Sequence, residues 1–286
     1  MTRRTGSNVV ALKPGLKLRP TRLHLHRLSI CSTIVAALVV AFLPHGTAHP
    51  SAAAAQAPGT GTIKGRIKLT GPIPANPMIR MGVDPMCSRA NAGKRLTHQY
   101  VVAGADGGLA NVVVQLAGDL PAGTPPADPV VVNQKGCVYS PRVVIAQPGQ
   151  TLRVINSDTM LHEVHTTNTQ ANEFKVTQPQ SGMVFNQKLK KDTVVMRLAC
   201  TVHSWMAAYV AVIPHAFAAV TDDSGTFTIA KVPPGKYTIQ TWHERYGKLS
   251  KTVDVTAGGT ATINFDYTGK EKPQTAAMQP LLVPAS

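Results

Sequence analysis

Apolar and polar residues alternate over short stretches through most of the chain after residue 60. In Thr62–Leu69 the apolar side chains lie at nearly every second position, which is typical of a half-buried β-strand. Turn-forming runs such as Asp222–Gly225 and Ala257–Gly259 separate the later stretches. Almost no helical period is present, so the pattern predicts an all-β protein built of β-sandwiches. Further β-branched stretches predict strands at 109–116, 142–145, 151–155, 193–198, 208–213, 226–229, 236–242, 251–255 and 260–265.

The N-terminus has a different composition from the rest of the chain. Residues 1–57 contain seven basic and no acidic residues, and an apolar run from Leu28 to Leu43 precedes a small-residue stretch. Basic, apolar and small segments in this order indicate a signal peptide and cleavage region over 1–57. The run of 16 residues is shorter than the ~20 that span a bilayer, and an uncleaved anchor is the alternative. We expect a periplasmic or secreted protein without stable membrane insertion after cleavage.

Composition and charge narrow the function classes. The chain has 286 residues, of which 43% are hydrophobic and 15% charged, and this excludes wholesale disorder. The formal net charge is +15, but outside residues 1–57 only 22 basic residues face 14 acidic ones. No basic stripe interleaved with aromatic residues occurs in the sequence, so nucleic-acid binding is not expected. The remaining positive charge favours an acidic protein partner.

The residues that indicate chemistry lie in two places. Cys200, His203 and Met206 form the pattern Cys-x-x-His-x-x-Met, and His162 and His165 lie upstream. Two imidazoles, a thiolate and a weak thioether are the ligands of redox-active copper sites. With four Cys, ten His and nine Met in the chain, this spacing is expected by chance only about 0.004 times. Residues three apart on a strand point to opposite faces, so only one of the two upstream histidines can face the loop.

These residues also have simpler interpretations. Cys200 can be a buried core thiol, and Met206 can pack in the core even if a metal binds. Trp205 is expected to shield the site from water, and a role as an electron relay is the alternative. Asn156 and Ser157 either tie the ligand segments together by hydrogen bonds or merely form a turn.

Two segments resemble the ligand segments of the cupredoxins, the small blue copper proteins. Asn156–His162 is similar to their first-ligand strand, and Cys200–Met206 is similar to a short ligand loop of the amicyanin kind. The resemblance covers residues 130–214. It implies a Greek-key β-sandwich that binds one copper ion.

The resemblance also implies a role for each residue of the motif. His162, Cys200 and His203 would be the equatorial copper ligands, and Met206 the axial ligand. His165 would then be a surface imidazole or one that supports a ligand, and a ligand of a second metal ion is the alternative. Because four protein ligands leave no open position for a substrate, we do not expect an enzyme.

The last part of the chain resembles the carboxypeptidase regulatory-like, or transthyretin-like, β-sandwich. Ala219–Ile229 carries the Thr-Asp-x-x-Gly-x-Phe turn of that family, and Val232–Ile239 follows it as Val-Pro-Pro-Gly-Lys-Tyr-Thr-Ile. Modules of this family begin with a strand similar to Gly61–Ile67 and continue into a segment similar to Gly108–Leu116. About a hundred residues separate these pieces here, so we predict one sandwich interrupted by the cupredoxin sandwich. Insertion at a loop tip adds little closure entropy.

The predicted domain boundaries follow from the two resemblances, and two tandem domains are the alternative. Within the second part of the transthyretin-like sandwich, His243 and Glu244 are expected to form an exposed polar pair at a strand end. The predicted division is 1–57 signal peptide and cleavage region, 60–129 first part of the transthyretin-like β-sandwich, 130–214 cupredoxin domain, 215–268 second part of the transthyretin-like β-sandwich, and 269–286 flexible tail.

The cysteine count fits export together with one metal ligand. Cys31 lies in the signal region, which leaves Cys87, Cys137 and Cys200 in an oxidising compartment. With Cys200 assigned to the copper ion, a disulfide between Cys87 and Cys137 is expected.

The resemblance implies a function in electron transfer. We expect an exported, mononuclear blue (type 1) copper protein that passes single electrons between periplasmic redox partners. The expected partner is a cytochrome or dehydrogenase with an acidic docking face. A copper carrier or sequestration protein is one alternative, and a surface or polysaccharide interaction module with a structural metal is the other.

Overall fold

The computed structural model describes residues 59–118, 120–191 and 195–271. The predicted signal region 1–57 and residues 272–286 of the predicted tail lie outside these ranges. Within the part of the chain that is described, no helix has the length and apolar character needed to cross a membrane.

The described residues form 17 β-strands and one short helix, α1, which confirms the all-β prediction. A single 3-10 turn at Met81–Val83 precedes α1 (Pro85–Ala90). The strands are β1 (Gly61–Leu69), β2 (Val113–Ala117), β3 (Val130–Gln134), β4 (Tyr139–Ser140), β5 (Val143–Ala146), β6 (Thr151–Asn156), β7 (His162–Thr167), β8 (Lys175–Gln178), β9 (Val184–Lys188), β10 (Val195–Cys200), β11 (Ala207–Val212), β12 (Ala218–Val220), β13 (Thr226–Val232), β14 (Gly235–His243), β15 (Gly247–Val255), β16 (Thr260–Thr262) and β17 (Phe265–Tyr267).

These strands make four sheets. Sheet I has the order β13-β1-β16, with β17 also paired to β1, and sheet II has the order β12-β2-β14-β15. Sheet III has the order β5-β11-β10-β7-β8, and sheet IV has the order β4-β3-β6-β9. Sheets I and II therefore combine strands from 61–117 with strands from 218–267, whereas sheets III and IV use strands from 130–212 only.

The alternation of side chains along central strands explains how the sheets pack. In β2, Val114 and Leu116 face the core between sheets I and II, while Val113 points the other way, toward sheet III. In β11, Val210 lies in the core between sheets III and IV, while Ala211 packs against sheet II. Both strands are buried on both faces, so the two sandwiches share an apolar contact between sheets II and III.

An ion pair between Arg142 and Glu244 lies at that contact. Arg142 precedes β5, Glu244 follows β14, and each side chain is 7% exposed. The guanidinium donates to both carboxylate oxygens, with Nη2 2.8 Å from Oε2, and lies 5.7 Å from the ring centres of Tyr100 and Tyr209. The expectation that Glu244 is exposed is wrong, because this strand end packs against Arg142 from the other sandwich.

The neighbouring His243 is also buried rather than exposed, with 1% of its surface accessible. Its ring stacks on Tyr246 at 5.0 Å and lies 6.1 Å from the ring of Tyr267. Burial, and then the positive charges of Arg142 and Arg245, lower the pKa of His243 to about 3.

We predict that Glu244→Gln destabilises the protein strongly, by about 3–5 kcal/mol, because it leaves the Arg142 charge buried and unpaired. Urea unfolding followed by circular dichroism measures this change. Asp106→Asn is the matched control, since Asp106 pairs with Arg66 at an exposed site and such pairs contribute little. Equal effects of the two substitutions would contradict the prediction.

We also predict that His243 makes the fold acid-sensitive. In the unfolded chain this imidazole binds a proton near its ordinary pKa of about 6.5, whereas the folded protein holds it neutral down to about pH 3. Stability is therefore lost as pH falls through that window, by up to about 1.4 kcal/mol per pH unit. His243→Phe keeps the ring stacking and should lose less stability between pH 7 and pH 4. Parallel urea-unfolding curves with the same pH slope in both proteins would refute this prediction.

Candidate metal centre

Two neighbouring strands of sheet III bring the predicted ligands together. In the antiparallel pairing of β7 with β10, Cys200 lies opposite Val164. His162 is two residues before Val164 and therefore on the same face, level with the loop that follows Cys200. That loop closes tightly onto β11, because the backbone N–H of Met206 donates to the carbonyl of His203 at 2.9 Å.

Three donor atoms converge in a buried space. His162 Nδ1 lies 3.0 Å from His203 Nδ1, and Cys200 Sγ lies 3.9 Å and 3.7 Å from these two nitrogens. Both histidines are 0% exposed and Cys200 is 3% exposed. One ion about 2.0–2.1 Å from each nitrogen and about 2.3 Å from the sulfur gives donor separations of this size at angles of roughly 95° to 125°. The three residues therefore fit a single trigonal metal ion.

Each histidine presents Nδ1 to this space because its other nitrogen is bound to a carboxylate. His162 Nε2 lies 3.0 Å from Asp158 Oδ2, and His203 Nε2 lies 2.9 Å from Asp84 Oδ2. An ionised carboxylate only accepts hydrogen bonds, so each Nε2 carries a proton and Nδ1 is the nitrogen that faces the shared space.

The electrostatics of the centre favour a thiolate. Burial alone would raise the pKa of Cys200, but hydrogen bonds from His162, from the backbone and from His203 lower it to about 7. For His162, burial opposes protonation, yet the hydrogen bonds to Asp158 and Cys200 raise its pKa to about 9. A site that stabilises a thiolate beside a positive imidazole is also suited to a thiolate beside a metal cation.

Met206 lies at the end of the ligand loop and is 1% exposed. Its side chain belongs to the same apolar core as Cys200 and Met160. This placement is compatible both with core packing and with the predicted axial ligand position, so the axial role stays a prediction.

The other residues near the motif have distinct positions. Trp205 packs against His203 with ring centres 5.1 Å apart, and its Nε1 donates to the carbonyl of Cys137. His165 lies on the opposite face of β7, where Nδ1 contacts Thr201 Oγ1 at 3.2 Å. His165 is therefore outside the three-donor group.

The turn after β6 is fixed by the buried side chain of Asn156. Its Nδ2 donates to the carbonyls of Met160 and Gln178, and its Oδ1 accepts from the Asp158 N–H. Ser157 hydrogen-bonds to Asn133 instead. These bonds position the loop that carries Asp158 and His162, and none of them reaches the Cys200 loop.

The predicted disulfide between Cys87 and Cys137 is confirmed, and it lies against the centre. Cys87 Sγ is 3.3 Å from His203 Nε2. The Cys87 N–H donates to Asp84 Oδ1, and the Cys137 N–H donates to Asp158 Oδ2. Each half of the disulfide thus holds the carboxylate that is bound to one of the two histidines.

Sequence reasoning missed both carboxylates. Asp158 lies within the segment that resembles the first-ligand strand, four residues before His162, but its role depends on the turn that Asn156 shapes. Asp84 precedes Pro85 and caps α1, and the Asp-Pro pair is a sequence signal for a helix start. Nothing in that signal indicates a histidine 119 residues away.

The comparison with protein families matches residues 206–268 to the carboxypeptidase regulatory-like domain. The match begins at Met206 in the ligand loop, earlier than the predicted boundary at 215. The search of curated proteins finds none that matches this chain.

Solved structures with similarity to this chain include a nitrite reductase, a purple cupredoxin and an amicyanin. The Cu-containing nitrite reductase (NirK) from Thermus scotoductus SA-01 is 18% identical over 34% of this chain, with a TM-score of 0.27, and this chain covers only 28% of its length. The purple cupredoxin from Nitrosopumilus maritimus is 18% identical, over 30% of this chain and 100% of its own, with a TM-score of 0.25. The reduced form of an amicyanin mutant is 20% identical, over 35% of this chain and 98% of its own, with a TM-score of 0.27.

The chain thus contains a region that matches the carboxypeptidase regulatory-like domain and, in sheets III and IV, the β-sandwich predicted from its resemblance to the cupredoxins.

Proposed function

We propose that this protein binds one copper ion through His162, Cys200 and His203, with Met206 as a weak axial ligand, and transfers single electrons. The observation that carries the proposal is the convergence of two Nδ1 atoms and one thiol sulfur within 3.0–3.9 Å in a buried site. Bound copper supplies one-electron redox chemistry, and trigonal His₂Cys sites with a long axial methionine are the ones that use it for electron transfer.

The residues around the donors keep the site rigid and dry. Asp84 and Asp158 fix the two imidazole rings, and Trp205 covers His203 on one side. A rigid ligand set needs little rearrangement when the charge of the ion changes. Water is kept away because none of the three donor residues is more than 3% exposed.

The same burial supports a carrier of electrons rather than an enzyme. A substrate would need an open coordination position that it can reach, and His203 lies against Asp84, Trp205 and the disulfide. The nitrite reduction named for the Thermus scotoductus protein is therefore not part of this proposal.

The surface around the centre suits an acidic redox partner such as a cytochrome or dehydrogenase. Several exposed apolar residues are sequence neighbours of the site residues, and exposed basic residues lie on the segment that carries Asp84. Such a surface favours weak, salt-sensitive docking. The apolar residues are Val83, Met86, Leu161 and Val202, and the basic residues are Arg80, Arg89, Lys94 and Arg95. Export to the periplasm or the outside, as inferred from residues 1–57, completes the proposal.

The first test is the visible and electron paramagnetic resonance spectrum of the protein loaded with copper(II). We predict an intense thiolate-to-copper band with narrow hyperfine splitting. Cys200→Ser should abolish the band because it removes the sulfur donor. His165→Gln, outside the donor group, should leave it unchanged. A pale spectrum with tetragonal signals would refute the proposal, and rapid loss of copper to a chelator would favour a carrier.

A second test uses small inorganic redox partners. We predict that hexacyanoferrate(II), an anion, reduces the copper(II) protein faster at low ionic strength than at high ionic strength. Replacing both Lys94 and Arg95 with Glu should slow the reaction several-fold, because the positive charges of these side chains attract the anion to the surface. Lys64→Glu on β1, an exposed residue of sheet I, is the control. Stopped-flow rates that fall equally with the control substitution would exclude docking at this surface.

A further inference from the structure

We propose that Asp84 is a positioning residue of the metal centre, which holds His203 in the one tautomer that can bind the ion. This inference rests on the proposed function. The inference extends the proposed function to a residue outside the ligand segments, because Asp84 caps α1 and lies before the residues 130–214 that resemble the cupredoxins.

The two oxygens of Asp84 have separate tasks. Oδ1 accepts from the N–H groups of Met86 at 2.7 Å and Cys87 at 3.1 Å, and so caps α1. Oδ2 lies 2.9 Å from Nε2 of His203. The cap orients the carboxylate, and the orientation aims Oδ2 at the ring.

The hydrogen bond decides which ring nitrogen carries the proton. A neutral imidazole has one N–H, and a carboxylate can only accept, so the proton is on Nε2. The lone pair of His203 Nδ1 is then directed toward His162 Nδ1 and Cys200 Sγ. With the opposite tautomer, the proton on Nδ1 would occupy the position of the metal bond.

The disulfide keeps Asp84 in reach of the ring. Cys87 is three residues after Asp84 and is bonded to Cys137 at the turn between β3 and β4. Asn91 adds a second tie, since its Nδ2 donates to the carbonyls of Cys87 and Gly136. The α1 segment is thereby fixed to sheet IV.

Two substitutions at Asp84 separate positioning from a merely structural role. Asparagine is as good a helix cap as aspartate, so Asp84→Asn retains the cap by its amide oxygen. Its NH₂ group then faces His203 Nε2 and donates to it, which moves the ring proton to Nδ1. Alanine removes the cap but leaves Nε2 free to donate to water. If Asp84 only caps the helix, Asp84→Ala should weaken metal binding more than Asp84→Asn. If Asp84 positions His203, Asp84→Asn should weaken it more.

The experiment measures zinc(II) affinity by competition with a chelator, because zinc takes nitrogen and sulfur donors without redox chemistry. Roughly 10–100-fold weaker binding is expected for Asp84→Asn, as is usual when such a ligand partner is changed, and a smaller loss for Asp84→Ala. Asp106→Asn controls for the lost charge. In parallel, nitrogen-15 NMR of the zinc-free, folded proteins reports the tautomer of His203, with the proton expected on Nε2 in the wild type and on Nδ1 in Asp84→Asn.

Each outcome decides the inference. The inference is supported if the His203 proton is on Nε2 in the wild type and on Nδ1 in Asp84→Asn, and if Asp84→Asn binds zinc more weakly than Asp84→Ala. An unchanged tautomer, an affinity within two-fold of wild type, or a greater loss with Ala would overturn it. If the wild type lacks the blue copper spectrum, the proposed function fails, while the tautomer and zinc affinity still decide the role of Asp84.

Discussion

The disulfide between Cys87 and Cys137 is the constraint on which the geometry of the candidate metal centre depends. It joins helix α1 to the turn after β3, and the backbone N–H of each half-cystine donates to a carboxylate, Asp84 or Asp158. Those carboxylates in turn hold the two histidines with Nδ1 facing Cys200 Sγ. The disulfide therefore orients the two imidazoles indirectly, through Asp84 and Asp158. Formation of the disulfide therefore also sets the geometry of the proposed metal site.

The packing of the two sandwiches provides the frame for that link. Sheets II and III share an apolar contact that includes Val113, Ala211 and Trp242, and the Arg142–Glu244 ion pair lies at the same contact. The chain leaves sheet I after β1, passes through α1 beside the candidate metal centre, and then enters sheet II as β2. Within this segment, Met81 and Cys87 are buried in the core between sheets III and IV, so the part that carries Asp84 is held against that sandwich.

Much of this structure could be predicted from local sequence patterns. Alternating β-branched residues indicate strands such as β1 and β6, and the spacing Cys200, His203, Met206 indicates a ligand loop. The burial of His243 and Glu244 could not be predicted this way, because it arises from residues such as Arg142, a hundred positions earlier. Asp84 was missed for the same reason. Its role depends on a contact between segments 119 residues apart, and local patterns carry no information about such contacts.

The imidazole of His203 has one further consequence, for the chemical durability of the protein. Its Nδ1 faces the Cys200 thiol at 3.7 Å, while its Nε2 lies 3.3 Å from Cys87 of the disulfide. The His203 ring therefore lies between the Cys200 thiol and Cys87 of the disulfide, which a thiolate can cleave. Thiol–disulfide exchange requires the thiolate to approach a disulfide sulfur directly, and here that path is filled by an aromatic ring held at both nitrogens. The histidine that is proposed to bind the metal therefore also separates the free thiol from the disulfide among the three cysteines of the described residues.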